Sequence, residues 1–328
     1  MNDVLTLFIF SIIVYSVPLL YGTCGEILIE KSGSLDLGVE GTMAIGAIFG
    51  YLAACRADNL YIGILAAFAS SALIGAFFSL MTVTRQANQN VTGLTITTFG
   101  IAFYFFVGNG LGDKWPRLTD CTNLVSQFED IQIPLLSKIP GLGKVLFSHN
   151  IMVYIGVVVA VAMSIYLNRT KQGLRLRAIG ENPAAADSLG INVALNKYAH
   201  AIIGSGIMGI GGLYMGLNMG GTFEGSNCWI NGYGWIAIAL VIFANWNPVS
   251  AIAGTFVFGF FNTLRTYNGA LASAFPKALG WLTKIPAQFF SALPFIMTLI
   301  VLVVYSLRKG KTSNEPAAIG INYYREDR

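Results

Sequence analysis

Nine apolar runs divide the sequence, near residues 4–21, 41–55, 60–83, 91–109, 150–167, 198–219, 233–246, 249–267 and 288–307. Each is close to the roughly 20 residues that a helix needs to cross the hydrocarbon of a bilayer, although 41–55 and 233–246 are short. Within lipid every backbone polar group must find its partner inside the chain, so such runs leave one class of fold. That class is an all-α integral membrane protein, a polytopic bundle of about 9–10 transmembrane helices. Composition agrees, with 55% hydrophobic and 11% charged residues, against roughly 25% charged in a soluble domain. The N-terminal run carries Asp3, has no basic residue before it and is followed by no A-x-A pattern, so it is expected to remain as a membrane helix rather than a cleaved signal.

Charge then orients the chain. The 20 Lys and Arg residues are spread over short loops and give a net charge of +4, which reports topology and offers no footprint for nucleic acid. The interval 168–197 is strongly basic, with Arg169, Lys171, Arg175, Arg177 and Lys197 against Glu181 and Asp187. The positive-inside bias places it in the cytoplasm together with a tail that begins at Arg308, Lys309 and Lys311. Four runs separate the two, an even number, so the assignments agree. A single transmembrane domain over 1–310 follows, with a cytoplasmic loop at 168–197, an extracytoplasmic loop at 110–149 and a cytoplasmic tail at 311–328.

Residues 22–40 leave the N-terminal side open. GTCGEILIEKSGSLDLGVE carries Glu26, Glu30, Lys31, Asp36 and Glu40 among apolar residues and glycines. Charge and irregular backbone at membrane depth are tolerated where protein buries them or where they line a wet cavity, so a broken or re-entrant helix beside a transport path is expected. A solvated cytoplasmic loop is the plain alternative. If the stretch itself crosses, there are ten spans and a cytoplasmic N-terminus. A looser echo, GGTFEGSNCWINGYGWIAIAL from Gly220, again sets a glycine-rich polar segment with one acid, Glu224, before a short apolar run of opposite direction. Paired interruptions of this kind mark possible inverted repeats.

Several motifs fail their context. Gly204-Ser205-Gly206-Ile207-Met208-Gly209 matches G-x-G-x-x-G but lies inside an apolar run with no strand before it, so close helix packing explains it, as it does Gly212, Gly216, Gly220, Gly46 and Gly50. Gly310-Lys311-Thr312 ends like a phosphate loop, but Tyr305 stands where the first glycine belongs. His149 and His200 are far apart, and Cys24, Cys55, Cys121 and Cys228 form no C-x-x-C pair, so neither a metal site nor a disulfide framework is expected. No G-x-S-x-G elbow is present, and no catalytic residue is assigned.

Within 168–198 lies a compact helix signal. Asn182 suits the cap, Pro183 the first helical position, Ala184 to Leu189 the body and Gly190 the left-handed stop. About two turns are too few for stability alone in water, so a partner protein is the expected holder.

With these residues in view the chain resembles the permease subunits of ABC importers in the branched-chain amino acid, ribose and nucleoside group. The resemblance rests on Gly173 through Ile191 (GLRLRAIGENPAAADSLGI), on Glu30-Lys31-Ser32-Gly33 with Leu35-Asp36-Leu37-Gly38-Val39-Glu40-Gly41, and on Gly232-Tyr233-Gly234-Trp235-Ile236-Ala237-Ile238-Ala239 with Trp246-Asn247-Pro248. The second segment is most similar to the nucleoside and simple-sugar branch, with Lys31 where Arg is commoner and Asp36 where Asn is commoner. The resemblance implies a permease in the bacterial cytoplasmic membrane that forms the path for a nucleoside or simple sugar. It implies an ABC ATPase subunit that binds ATP and Mg, no cofactor in this chain, a second permease that is identical or homologous, a substrate-binding lipoprotein or periplasmic receptor, and surrounding lipid. Gly180, Glu181, Asn182, Pro183, Ala184, Ala185, Ala186, Asp187 and Gly190 would then couple to the ATPase. A nucleoside wants aromatic stacking and a few amide or carboxylate partners, which makes Glu40, Asn88, Asn90, Phe99, Asn218 and Trp235 the path candidates. Each of these also suits a helix cap or a packing position. Ribose-type sugars and branched-chain amino acids are alternative substrates. A self-contained transporter driven by an ion through Glu26, Asp36 or Glu40 is the alternative of another class, and a membrane enzyme using those acids is a third.

Overall fold

A computed structural model describes residues 2–132, 142–307 and 314–324. Its first helix, α1 (Asn2–Glu30), continues unbroken through residues 22–30. The expected break is therefore narrower than 22–40, no tenth crossing arises there, and the irregular backbone is confined to residues 31–38. The glycines of this stretch do not end the helix because they are contact points. A Cβ at Gly25 would lie 2.4 Å from the Gly204 carbonyl, and one at Gly22 would meet Met43 and Ala237 at 3.1 Å. Close helix approach offsets the roughly 1 kcal/mol that a helical glycine costs relative to alanine.

All nine apolar runs fall on helices. After α1 come α2 (Val39–Ala57), α3 (Leu60–Ser79), which a π-helical turn extends over Leu80–Thr84, and α4 (Gln89–Leu111). The outer interval holds α5 (Thr122–Phe128), α6 (Leu142–Phe147) and a two-residue antiparallel pair, β1 (Ile131–Gln132) with β2 (Ser148–His149). Then follow α7 (Ile151–Arg169), α8 (Lys171–Glu181), α9 (Pro183–Ser188), α10 (Val193–Asn218), α11 (Tyr233–Phe243), α12 (Pro248–Ala274), α13 (Pro276–Leu279) and α14 (Ala287–Leu307). Five of the described helices, α1, α3, α4, α7 and α10, are by themselves long and apolar enough to cross a membrane. Residues 133–141 of the outer loop, Arg308, Lys309 and Lys311 of the basic tail, and 325–328 lie outside the described residues.

Helix α10 sits at the centre. In its apolar window 89% of residues are buried, against 33% for α3 and α7, and it packs on α1, α2 and α3. Its glycine stripe makes this possible, since a Cβ at Gly209 would reach Ser71 and one at Gly212 would reach the Met43 carbonyl. The G-x-G-x-x-G run is thus a packing motif. Gly220, expected in the same stripe, differs: it has φ +71° and no neighbour within 4 Å, and it turns the chain after α10. Asparagine starts six described helices, with Asn59, Asn88, Asn150, Asn182, Asn192 and Asn247 each accepting a first-turn amide.

Residues 314–324 do not trail away from the bundle as a separate tail. They lie along the inner face, where the Ala318 amide donates to the Gly180 carbonyl at 2.8 Å and Asn322 Nδ2 to the carbonyls of Gln86 and Ala87, each at 2.9 Å.

Candidate functional site

Two interruptions break the run of helices, and buried acids lie close to both. The inner one, 31–38, joins α1 to α2. Three acids surround it, Glu26, Glu30 and Asp36, with 0%, 3% and 1% of their surface exposed. Burial of this kind demands polar partners. Glu30 Oε2 accepts from Trp246 Nε1 at 2.5 Å, Glu26 Oε1 from the Asp36 amide at 3.3 Å, and Asp36 Oδ1 from the Gly38 amide at 2.7 Å. The start of α4 adds Gln89 Oε1, which accepts the Leu35 amide at 2.7 Å. Lys31 donates to the Asn314 carbonyl at 2.7 Å, and burial pulls its amine down to about 8.

The outer interruption, 219–232, joins α10 to α11. Gly232 starts α11 with φ +89° and has no side chain to cap the helix. Glu40, in the first turn of α2, supplies the cap from across the bundle: Oε1 accepts the Gly232 amide at 2.7 Å and Oε2 the Trp235 amide at 3.4 Å. A carboxylate at a helix N-terminus is favoured by the exposed amides and the aligned peptide dipoles. Gly234 permits this approach, since its Cβ would fall 2.4 Å from the Glu40 backbone. The N-termini of the two short segments therefore meet in the interior.

Beside this junction a cavity of about 330 Å³ is lined by Tyr15, Glu224, Trp229, Tyr233, Asn262 and Arg265 among others. Asn262 Nδ2 donates to the Tyr233 hydroxyl at 2.8 Å. Aromatic faces with amide, carboxylate and guanidinium groups suit a small polar ligand with a flat ring.

The residues expected from sequence separate into two groups. Glu40 and Trp235 come together at the junction, with Trp235 41% exposed. Asn88 caps α4 through the Val91 amide at 3.1 Å and, like Asn90, is exposed at the inner end of that helix, away from the junction. Phe99 is 52% exposed and packs beside Phe103 on the outer surface of α4. Asn218 ends α10 and is half-buried. Tyr15, Asn262 and Arg265 were missed. Asn262, Arg265 and Thr266 do share one helical face by spacing, and that stripe within an apolar run was the available signal.

The inner face presents α8 and α9. Asn182 Oδ1 accepts the Ala185 amide at 3.0 Å, Pro183 opens α9, and Gly190 has φ +79°, as the cap, proline and stop required. Among the coupling residues expected, Glu181, Ala184 and Ala185 are exposed, whereas Gly180 is buried against the Lys31 carbonyl and Ala186 against Ile179 and Val193. Leu189, 80% exposed, projects next to the exposed alanines. The expectation that another protein must hold this helix needs correction. Its own chain holds it: Tyr323 packs against the Ala186 cluster and donates its hydroxyl to Asp187 Oδ2 at 2.9 Å.

Comparison with known proteins matches residues 8–302 to the family described as branched-chain amino acid transport system / permease component. The chain belongs to that permease family. It is similar to the nucleoside ABC transporter permease protein NupC of Lactococcus lactis, 31% identical with 98% of both chains covered. It is also similar to the guanosine permease protein NupQ of Bacillus subtilis, 30% identical with 99% of both covered, and to the putative glucose permease protein TsgC13 of Haloferax volcanii, 28% identical with 94% of both covered. No solved structure matches the chain. In this multi-pass membrane permease the three segments that carry the resemblance fall on α8–α9, on the inner turn with the start of α2, and on the first half of α11 with the connection into α12. They are the inner face and the two sides of the junction.

Proposed function

We propose that this permease is the membrane subunit of an ATP-driven ABC importer in a bacterial cytoplasmic membrane, and that it carries a nucleoside inward. A separate ATPase binds ATP with Mg and docks on the exposed side of α9, through Ala184, Ala185 and Leu189. A second permease, identical or homologous, completes the path, and a substrate-binding receptor delivers the ligand at the outer face. The observation that carries this proposal is similarity over almost the whole chain to permeases named for nucleosides and guanosine, at 31% and 30% identity. The aromatic and amide lining of the cavity beside Glu40 supports the same substrate class. A simple sugar is the second reading, favoured by the glucose permease at 28% identity. Direct ion coupling through Glu26 or Asp36 has less support, because both are sealed from solvent and engaged with the turn backbone.

Reconstitution tests the proposal. Uptake of labelled uridine into liposomes should require the partner ATPase, ATP and the second permease together. Uptake by the purified chain alone, driven by a proton or sodium gradient, would sink it. Ala185→Arg should abolish ATPase association while membrane insertion stays intact, whereas normal ATP-driven uptake in that variant would remove α9 from the coupling role.

A further inference from the structure

On the inner face, away from the junction, Lys197 is a buried cation that shares its cavity with one acid, Asp187. It lies in the second turn of α10 with only 4% of its surface exposed, and among the described residues nothing donates to, accepts from or pairs with its amino group. A buried ammonium left this way is costly, so such groups are found paired or beside a bound anion. Lys197 lines a cavity of about 420 Å³, within the roughly 300–1,000 Å³ of small-molecule sites. The start of 26-residue α10, at Asn192, Val193 and Ala194, lines the same space, and Asn192 already caps the Leu195 amide. Helical side chains lean toward the N-terminus, so the Lys197 amine and the helix-start amides converge on one region. A positive helix end and a buried ammonium on one polar cavity make an anion site.

We infer that this cavity binds a phosphate group, with Lys197 as its counter-charge and the N-terminus of α10 as its amide cradle. Ser34 of the inner turn adds a hydroxyl for a further phosphate oxygen, while the side-chain amides of Gln86 and Asn322, which also line the cavity, are held by backbone carbonyls of the chain itself. Asp187 also lines the cavity, and its carboxylate accepts the Tyr323 hydroxyl. An occupant would touch the inner turn, the end of α9 and the C-terminal segment at once. The phosphate can come from a soluble small molecule or from a phospholipid headgroup of the inner leaflet, and the chemistry recognised is the same. The inference does not depend on the substrate or on the ATPase.

Equilibrium dialysis of full-length protein with labelled inorganic phosphate tests the soluble source, and lipid retained in discs of phosphatidylcholine with or without phosphatidylglycerol tests the headgroup. Lys197→Met should weaken whichever binding is seen by at least about tenfold, the ~1.4 kcal/mol scale of one charge-assisted contact, and Lys197→Arg should restore most of it. Phosphate binding lost in Lys197→Met assigns the soluble source; selective retention of phosphatidylglycerol lost in that variant assigns the headgroup. Binding of neither, or binding equal in wild type and Lys197→Met, overturns the inference. If Lys197→Met fails to fold, acetylation of Lys197 in the wild-type protein decides, because the site requires slower modification with phosphate or phosphatidylglycerol present, and an unchanged rate contradicts it.

Discussion

The inner turn at 31–38 and the outer turn at 219–232 break the bundle from opposite faces, yet they are built differently. Six of the eight inner residues are buried, and side chains or carbonyls from α1, α4 and the C-terminal segment tie the turn down. The outer turn is mostly exposed, with Gly220, Thr222, Glu224, Gly225, Ser226, Asn227 and Asn231 on the surface and Trp229 as its buried anchor. Trp229 donates to the Thr222 carbonyl at 2.8 Å and packs on Tyr51, Tyr104 and Trp115. The difference separates access from closure. Under the proposed function, a ligand would reach the Glu40 junction from the loose outer side, and release inward would require the sealed turn to open.

Substitutions that treat the two turns alike should therefore give unlike results. The largest contrast is between glycines. Gly38→Leu, whose Cβ would lie 2.7 Å from Asp36 Oδ1 and 2.9 Å from Ile96 Cγ2, is expected to cost more than about 3 kcal/mol and to abolish folded protein in detergent. Gly225→Leu, which meets only Asn109 Oδ1 at 3.3 Å, should leave the thermal midpoint nearly unchanged. Equal losses would erase the distinction. Next in size, Trp246→Phe removes the donor to buried Glu30 and should cost about 2 kcal/mol in chemical denaturation, against about 1 kcal/mol for Trp229→Phe, which loses a neutral bond. Tyr323→Phe removes a part-buried bond to Asp187 and should cost about 1 kcal/mol or less, with the loss visible as faster amide exchange in α9. Smallest in stability is Asn262→Ala. It lines the outer cavity, so it should weaken uptake affinity by several-fold with little change in the thermal midpoint.

Much of this was legible in the sequence, for reasons that are local. Each apolar run is long enough to declare its own helix, and Asn182, Pro183 and Gly190 announce α9 because a cap, a fixed φ and a left-handed stop act within a few residues. The acids at 26–40 pointed to an interior polar site because charge in an apolar stretch needs a partner. What stayed hidden depends on contacts distant in the chain. Residues 314–324 show no periodicity, and their docking on Gly180, Gln86 and Ala87 runs largely through main-chain groups that any residue possesses. Helix α8 carries three basic residues, whose charge signals topology and masks the amphipathic face that buries Leu176 and Ile179. Tyr15 and Arg265 meet at the outer cavity from helices far apart in sequence, a proximity that only the packing of α1 on α12 creates.

The contrast between the turns is open to direct measurement through the rate of thiol modification by a membrane-impermeant maleimide. In a Cys228→Ser background, cysteine would be placed at Asn227, exposed in the outer turn, or at Ser32, 0% exposed in the inner one, with reagent supplied to the corresponding face. Without ATP, Asn227→Cys should react at the rate of a free thiol. Ser32→Cys should react about two orders of magnitude more slowly, as a segment that must first open at a cost of ~3 kcal/mol does. Comparable rates at the two positions would contradict a sealed inner turn.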